Sequence, residues 1–405
     1  MKISALSLAT VLALSTSAYA VELENIKVSG QATLYYQTLE KEGSDNALFS
    51  KEASMANVAL GIKFKADLGN NFGFGAKLNV LDTAGLEGEL VMKTMQSIES
   101  KSGDDNWFFG EAYITKTVGN TLVKIGRQEL NTPLAFSEKW NVVPTTYDAA
   151  VIVNSDLADN GITLVGAYVS KSNSHGSVIT AGNALGTFDR LGKHGAYAAA
   201  ALYNNEDLKA NAWFYTVPSV ANAYWIDANT NIAGVNLTAQ LAGFMFDSDF
   251  READDTVAVA LKGSYKVNEQ LNVCLAAAQT TGEEGSHNVA NVGTEVKTKL
   301  ATATITGDGD VAGATDTTSF KLNTSYNLGE NGKLIAQYGA YMHGENSSVT
   351  KARRDETASA LELIYKRKLV GMDLLVAYIH MDNIMQLTAE GETSDLVRVV
   401  ARYNF

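Results

Sequence analysis

The chain has 405 residues, 46% of them apolar, with 34 glycines, three prolines, a single cysteine and a formal charge of −13. The acid excess argues against nucleic acid as a partner, which needs a concentrated basic surface, and the lone Cys274 excludes an intrachain disulfide framework or a multi-cysteine metal site. A mean hydropathy of −0.06 and the lack of a second long apolar run exclude a polytopic helical membrane protein, but not a membrane barrel whose strands alternate.

Residues 1–20 read as a secretory signal peptide. Lys2 supplies the positive end, Ile3 to Leu14 the apolar stretch, and Ala18-Tyr19-Ala20 a small-x-small cleavage site. Residues 21–405 then form one undivided unit, since no proline-rich or Gly/Ser-rich linker interrupts them.

From there the chain reads as strands. Ile26 to Gln37 alternates strictly: Val28, Gly30, Ala32 and Leu34 face one way, Ser29, Gln31, Thr33 and Tyr35 the other. The same split recurs around 57–65, 72–80, 235–241 and 271–278. In a barrel the apolar face meets lipid and the polar face meets a watery lumen. Parity in the strand around 111–115 places Glu111, Tyr113 and Thr115 inward, with Ala112 and Ile114 outward. In the next strand it places Lys124, Gly126 and Gln128 inward and Arg127 outward, unless a bulge occurs near Gly126. Trp107, Trp213 and Trp225 fall near outer strand ends, where indole rings suit the lipid interface.

The connections separate a membrane barrel from a soluble sandwich. Short turn-rich links are predicted at 69–71, 119–120, 158–161, 204–207, 229–234, 268–269, 329–332 and 370–371. Longer polar stretches lie between them, at about 39–52, 82–105, 130–148, 172–194, 247–255, 281–315, 344–356 and 383–393, with one short link near Pro218. Eight inner turns and nine outer links imply an all-β fold: a transmembrane antiparallel barrel of 18 strands, short turns on the periplasmic rim and long loops outside.

Among the outer links, Asp247, Asp249, Glu252, Asp254 and Asp255 are candidates for a structural Ca²⁺ or for divalent bridges to lipopolysaccharide, but a solvated loop is the preferred reading because their spacing matches no EF-hand template. No other cofactor is expected. At the C-terminus Val397, Val399, Ala401, Tyr403 and Phe405 alternate with Arg398, Val400, Arg402 and Asn404. Tyr403 and the terminal Phe405 resemble the signature that outer-membrane barrels present to their assembly machinery.

The stretch from Trp107 to Val169, with Gly126-Arg127-Gln128-Glu129-Leu130-Asn131-Thr132 at its centre, resembles Campylobacter-type major outer membrane proteins and the related OprD-type porins. Val28-Ser29-Gly30 and the aromatic terminus are similar too. Pro133 and Pro144 depart from the family pattern. The resemblance implies an eighteen-stranded barrel, often trimeric, acting as a general or weakly selective pore. It also implies that residues 130–148 fold inward as a constriction loop. Some of Glu129, Glu138, Lys139 and Asp148 would then lie against the wall, faced across the opening by Lys124, Arg127 or other basic residues, and opposed charges there would set a transverse field that filters solutes. For Arg127 the motif favours a pore role and parity does not.

The expected function is passive diffusion of ions and small hydrophilic solutes across a Gram-negative outer membrane, with mild cation preference from the acid excess. An adhesin or receptor barrel is the alternative. A barrel hydrolase is a further rival, but the five histidines form no H-E-x-x-H and accompany no G-x-S-x-G.

Overall fold

The computed structural model describes residues 26–98, 106–173, 185–384 and 391–405; the expected signal peptide lies outside them. Eighteen strands form the wall. They are β1 (Lys27–Lys41), β2 (Ser54–Gly69), β3 (Phe72–Asp82), β4 (Trp107–Val118), β5 (Thr121–Gln128) and β6 (Tyr147–Asn154). Next come β7 (Ile162–Ser172), β8 (Ala196–Asn204), β9 (Leu208–Val217), β10 (Ala221–Ile232), β11 (Val235–Phe246) and β12 (Thr256–Lys266). The last six are β13 (Leu271–Thr280), β14 (Thr317–Asn327), β15 (Lys333–His343), β16 (Thr357–Leu369), β17 (Met372–Asp382) and β18 (Thr393–Asn404). A two-residue strand, Asp189–Arg190, pairs with Lys171 and Ser172 within one outer connection.

Each strand pairs antiparallel with its sequence neighbours, and β1 closes on β18 from Gln31 opposite Asn404 to Lys41 opposite Ser394. Closure leaves no open edge, the condition for strands to cross a membrane, where unpaired backbone groups have no water. The chain end extends the seam: Gly30 N donates to Phe405 O at 2.7 Å and Phe405 N to Gly30 O at 3.0 Å. The Phe405 ring covers Gly30 so closely that a Cβ there would lie 2.2 Å from it.

All eight predicted turns link strands on one rim, and the long connections emerge on the other. Asn70–Asn71 and Val370–Gly371 have positive φ at both residues, the backbone of a primed two-residue hairpin. Alternation holds along the wall: Leu34, Ile114, Ile125, Leu261 and Leu363 are exposed, while Thr33, Tyr35 and Gln37 are buried inside. Trp107 is 50% exposed on the outer surface and meets Phe109 edge to face at 6.2 Å. Trp213 and Trp225 correct the expectation of an outer aromatic position. They pair across β9 and β10, project inward, and are 9% and 2% exposed.

The reason is an apolar sector inside the barrel. Along the loop-side parts of β6–β13 the inward positions are largely alanine, valine and aromatic, among them Ala198, Ala242, Ala258, Phe244 and Trp225. Two outer connections, residues 129–146 and 281–316, fold into the lumen and fill this sector with Leu130, Leu134, Val289, Val292 and Leu300. Residues 83–98 of a third contribute Gln96, whose Nε2 donates to Val143 O (3.1 Å) and whose Oε1 accepts from Val143 N (2.7 Å). The space left open borders β14–β18, on the turn side of a second packed cluster that includes Ala358, Ile379 and Leu396.

Candidate constriction site

Gly126 sets up the inward turn of the 129–146 loop. Its φ is +125°, and a Cβ there would lie 2.3 Å from Ala112 O, so only glycine fits. Just beyond it, the Gln128 amide donates to Ala149 O (3.0 Å) and Gly126 O (3.2 Å), fixing the end of β5. Glu129 then leaves the wall and meets two ammonium groups, Lys139 at 2.7 Å and Lys77 at 3.5 Å. Burial works to raise the Glu129 pKa, but the Lys139 hydrogen bond and the charges of Lys77 and Lys139 outweigh it and hold the carboxyl below its usual range.

Nearby wall residues are also paired. Glu111 is 1% exposed and accepts from Lys63 Nζ at 2.6 and 2.8 Å. Lys124 lies over the Tyr113 ring at 3.8 Å. Arg127 and Asp148 do not join this group. They sit opposite each other on β5 and β6 and form a bidentate pair at 2.8 and 3.3 Å, with the guanidinium over the Phe188 ring. Arg127 is also level with the exposed Ala112 of β4, on the side of the sheet opposite Gln128. The structure thus follows parity at Arg127.

Glu138 lies deeper, where the two inward loops interlock. Its carboxylate accepts from Asn291 Nδ2 (2.9 Å), from Trp140 Nε1 (3.0 Å) and from the Thr294 hydroxyl. Asn291 also accepts from Phe136 N (3.2 Å) and donates to Phe136 O (2.9 Å). A buried carboxylate satisfied by three donors holds both loops in a single arrangement.

Sequence reasoning did not single out the groups that complete the opening. Arg402 donates to the carbonyls of Asn141 (2.9 Å), Lys139 (3.2 Å) and Trp140 (3.4 Å), tying the 129–146 loop to the wall. Arg398 donates to Gln37 Oε1 at 2.9 Å. The Trp140 ring has Lys297 at 4.6 Å and Arg398 at 5.5 Å. Lys297 also donates to Ile305 O (2.8 Å) and contacts Asp308. Glu362 on β16 accepts from Ile305 N, Thr306 N and the Thr306 hydroxyl, each at 3.0 Å, and from Gln337 Nε2, which docks the 281–316 loop on the far wall. Alternation had already put Arg398 and Arg402 on the polar face of the last strand, so their inward position was available in the sequence.

Together these groups border a cavity of about 660 Å³. Its charged lining is Lys139, Lys297, Lys366, Arg398 and Arg402 against Glu138 and Asp308. Burial pushes the Asp308 carboxyl up to about 8, against the pull of Lys297, and pushes Asp310 up to about 6. A hollow of about 750 Å³ among Leu237, Leu261, Leu275 and Phe320 lies on the lipid-facing surface and takes no part in the passage. Among the described residues no three His, Cys, Asp or Glu side chains converge as a metal site requires, the acidic loop at 247–255 included. There Asp247 caps its own turn, accepting from Asp249 N at 3.0 Å.

A closed barrel with inward loops around a polar opening defines an outer-membrane porin. The chain belongs to the Gram-negative porin family, whose model matches residues 5–405. No curated protein sequence matches it significantly. Its fold is similar to that of Pseudomonas aeruginosa OccK8 (OprE), at 14% identity and a TM-score of 0.71, over 95% of this chain and 99% of that one. It is also similar to Acinetobacter baumannii OccAB1, at 14% identity, TM-score 0.70 and the same coverage. P. aeruginosa OpdK, solved with vanillate, gives 15% identity, TM-score 0.67 and the same coverage. The likeness is to OprD/Occ porins, and family and fold are those of non-enzymatic channels that pass small solutes across the outer membrane.

Proposed function

We propose that this porin passes small hydrophilic solutes by passive diffusion through an opening that favours anions. The observation that carries this is the lining: five basic groups face two acids, and although Lys139 pairs with Glu129 and Lys297 with Asp308, among the described residues no carboxylate lies within ion-pair distance of Lys366, Arg398 or Arg402. The acid excess that suggested a mild cation preference resides largely in outer loops such as 247–255, where bulk water and salt screen it. Charges beside a narrow passage act at short range and weigh more. A carboxylate on an aromatic or aliphatic body suits Arg398 and Lys366 beside Trp140. The vanillate in the OpdK structure is such a molecule and supports this reading by analogy of fold.

Reversal potentials in asymmetric KCl test the proposal. The expected sign is that of chloride preference, and it should weaken in Arg398→Gln and Lys366→Gln. A cation-selective reversal potential in the unmodified protein refutes it and restores the net-charge argument.

The remaining proposals rest on the sequence. Residues 1–20 are a cleaved signal, so the mature protein should begin at Val21 by N-terminal sequencing. Tyr403 and Phe405 are read by the barrel-assembly machinery, which loss of Phe405 should disrupt in vivo while refolding in detergent survives. The likeness of 107–169 to Campylobacter-type proteins suggests a trimer, which mass measurement of the native complex tests. Contacts with lipopolysaccharide, with or without Ca²⁺, belong to the outer loops, and chelation should loosen them if present.

A further inference from the structure

The short-turn rim carries an exposed apolar side chain that pore function does not use. At the tip of the β16–β17 hairpin Val370 is 98% exposed and held at φ 49°. A β-branched residue is sterically disfavoured in the left-handed region, where asparagine or glycine fits with little cost. The β2–β3 hairpin on the same rim uses Asn70–Asn71. The chain thus keeps a bare apolar side chain at a position where both backbone and solvent favour a polar one.

Around this tip the rim is basic. Lys366, Arg367 and Lys368 precede it, and a cavity of about 580 Å³ beside it is lined by these three with Lys333 and Arg402, against Glu330 and Asp373. Lys368 reaches Asp373 only at 3.8 Å, and among the described residues no carboxylate lies within ion-pair distance of Lys333 or Lys366. Arg367 keeps a buried Nε–H without a hydrogen-bond partner. Lys333 pairs across the ladder with Lys366 on the lumen side, so this charge faces water at the mouth of the barrel.

We infer that this rim is a docking surface for an acidic segment of a soluble periplasmic protein that also carries an apolar side chain. Charge complementarity fixes the sign of the partner, and Val370 gives it an apolar anchor that a small anion would not use. Anionic phospholipid is the competing occupant. It fits less well, because four of the five basic groups stand on the lumen side of the wall and only Arg367 on the lipid side.

The test uses the full chain in nanodiscs of zwitterionic lipid and two labelled peptides, ten glutamates with and without a central leucine pair. The leucine peptide should bind about ten-fold more tightly, the ratio expected from covering one valine-sized side chain. Val370→Asn, which relieves the backbone and should leave conductance unchanged, should erase that ratio. The K333Q/R367Q/K368Q triple variant should weaken both peptides and flatten their salt dependence. Equal binding of the two peptides, a ratio that survives Val370→Asn, or peptide binding that phosphatidylglycerol in the disc abolishes overturns the inference. Because binding is read without current, failure here is distinguishable from failure of the anion-pore reading.

Discussion

Glu362 gives the sharpest handle on the constriction. Its carboxylate is fully buried and accepts three hydrogen bonds from the 281–316 loop and one from Gln337. Hydrogen bonds to a charged group contribute about 1.5–3 kcal/mol each, and a buried N–H left unpaired costs about 1–3 kcal/mol. Glu362→Ala removes the acceptor for Ile305 N, Thr306 N and the Thr306 hydroxyl, so at about 1–3 kcal/mol for each donor left unpaired the inward state of the loop should lose about 3–9 kcal/mol. The barrel itself should persist, because its ladders do not run through this side chain. Other ties remain, such as Lys321 Nζ to Ala303 O at 2.7 Å. The loop should therefore leave its place part of the time rather than unfold completely. Single-channel recording should show larger mean conductance and more open-channel noise, with new protease cleavage between 281 and 316; Glu362→Gln should fall between. Unchanged conductance and noise in a correctly folded Glu362→Ala barrel would show that the loop does not narrow the pore, and the reasoning would fail.

Three further outcomes follow from the same geometry. Arg402→Gln should release the 129–146 loop from β18, raising conductance and reducing chloride preference together, as read in asymmetric salt. The Asp308 carboxyl, held up to about 8, is neutral in acid and gains charge as pH rises, so chloride preference should fall between about pH 6 and 9, and Asp308→Asn should reduce that fall to the part left by Asp310 and Lys299. Its linked stability runs the same way: the folded pKa lies above the unfolded value, so stability is greatest below about pH 4 and declines as pH rises toward 8. Gly126→Ala must push a methyl group into Ala112 O at a positive φ and should lower the yield of heat-modifiable folded barrel. Recovery of that yield at the wild-type level would remove the strain argument.

Most of the wall was legible in the sequence because lipid and water impose opposite demands on alternate residues. Ile26 to Gln37 shows both demands, and its faces lie where alternation put them. The turns were legible because Asn, Asp and Gly at hairpin tips have few other uses. Alternation failed at Ala196 to Leu202, where the inward positions face apolar filling, so both faces of β8 are apolar. Trp213 and Trp225 misled for the same reason: an indole suits a membrane interface and a packed interior equally. The interlock of Glu138 with Asn291 and Thr294 joins positions more than 150 residues apart, and no local pattern records it. Arg127 stands on the face of β5 that parity gives it, level with Ala112, whereas the motif had favoured the lumen.

The apolar filling of the lumen also divides the wall by what substitutions it will accept. Toward the long loops a strand residue is enclosed whichever way it points, by hydrocarbon on one side and packed side chains on the other, as at Ala242, Ala258, Ala360 and Ile379. A new charge there has no water to turn to. Toward the short turns the inward face is polar, as at Asp227, Asn236, Lys262, Lys333 and Lys366, and the lining can be rewritten one residue at a time without reopening a core. Variation that retunes solute preference should therefore collect in the turn-side half of the barrel, while the loop-side half changes, if at all, by exchanges of similar volume.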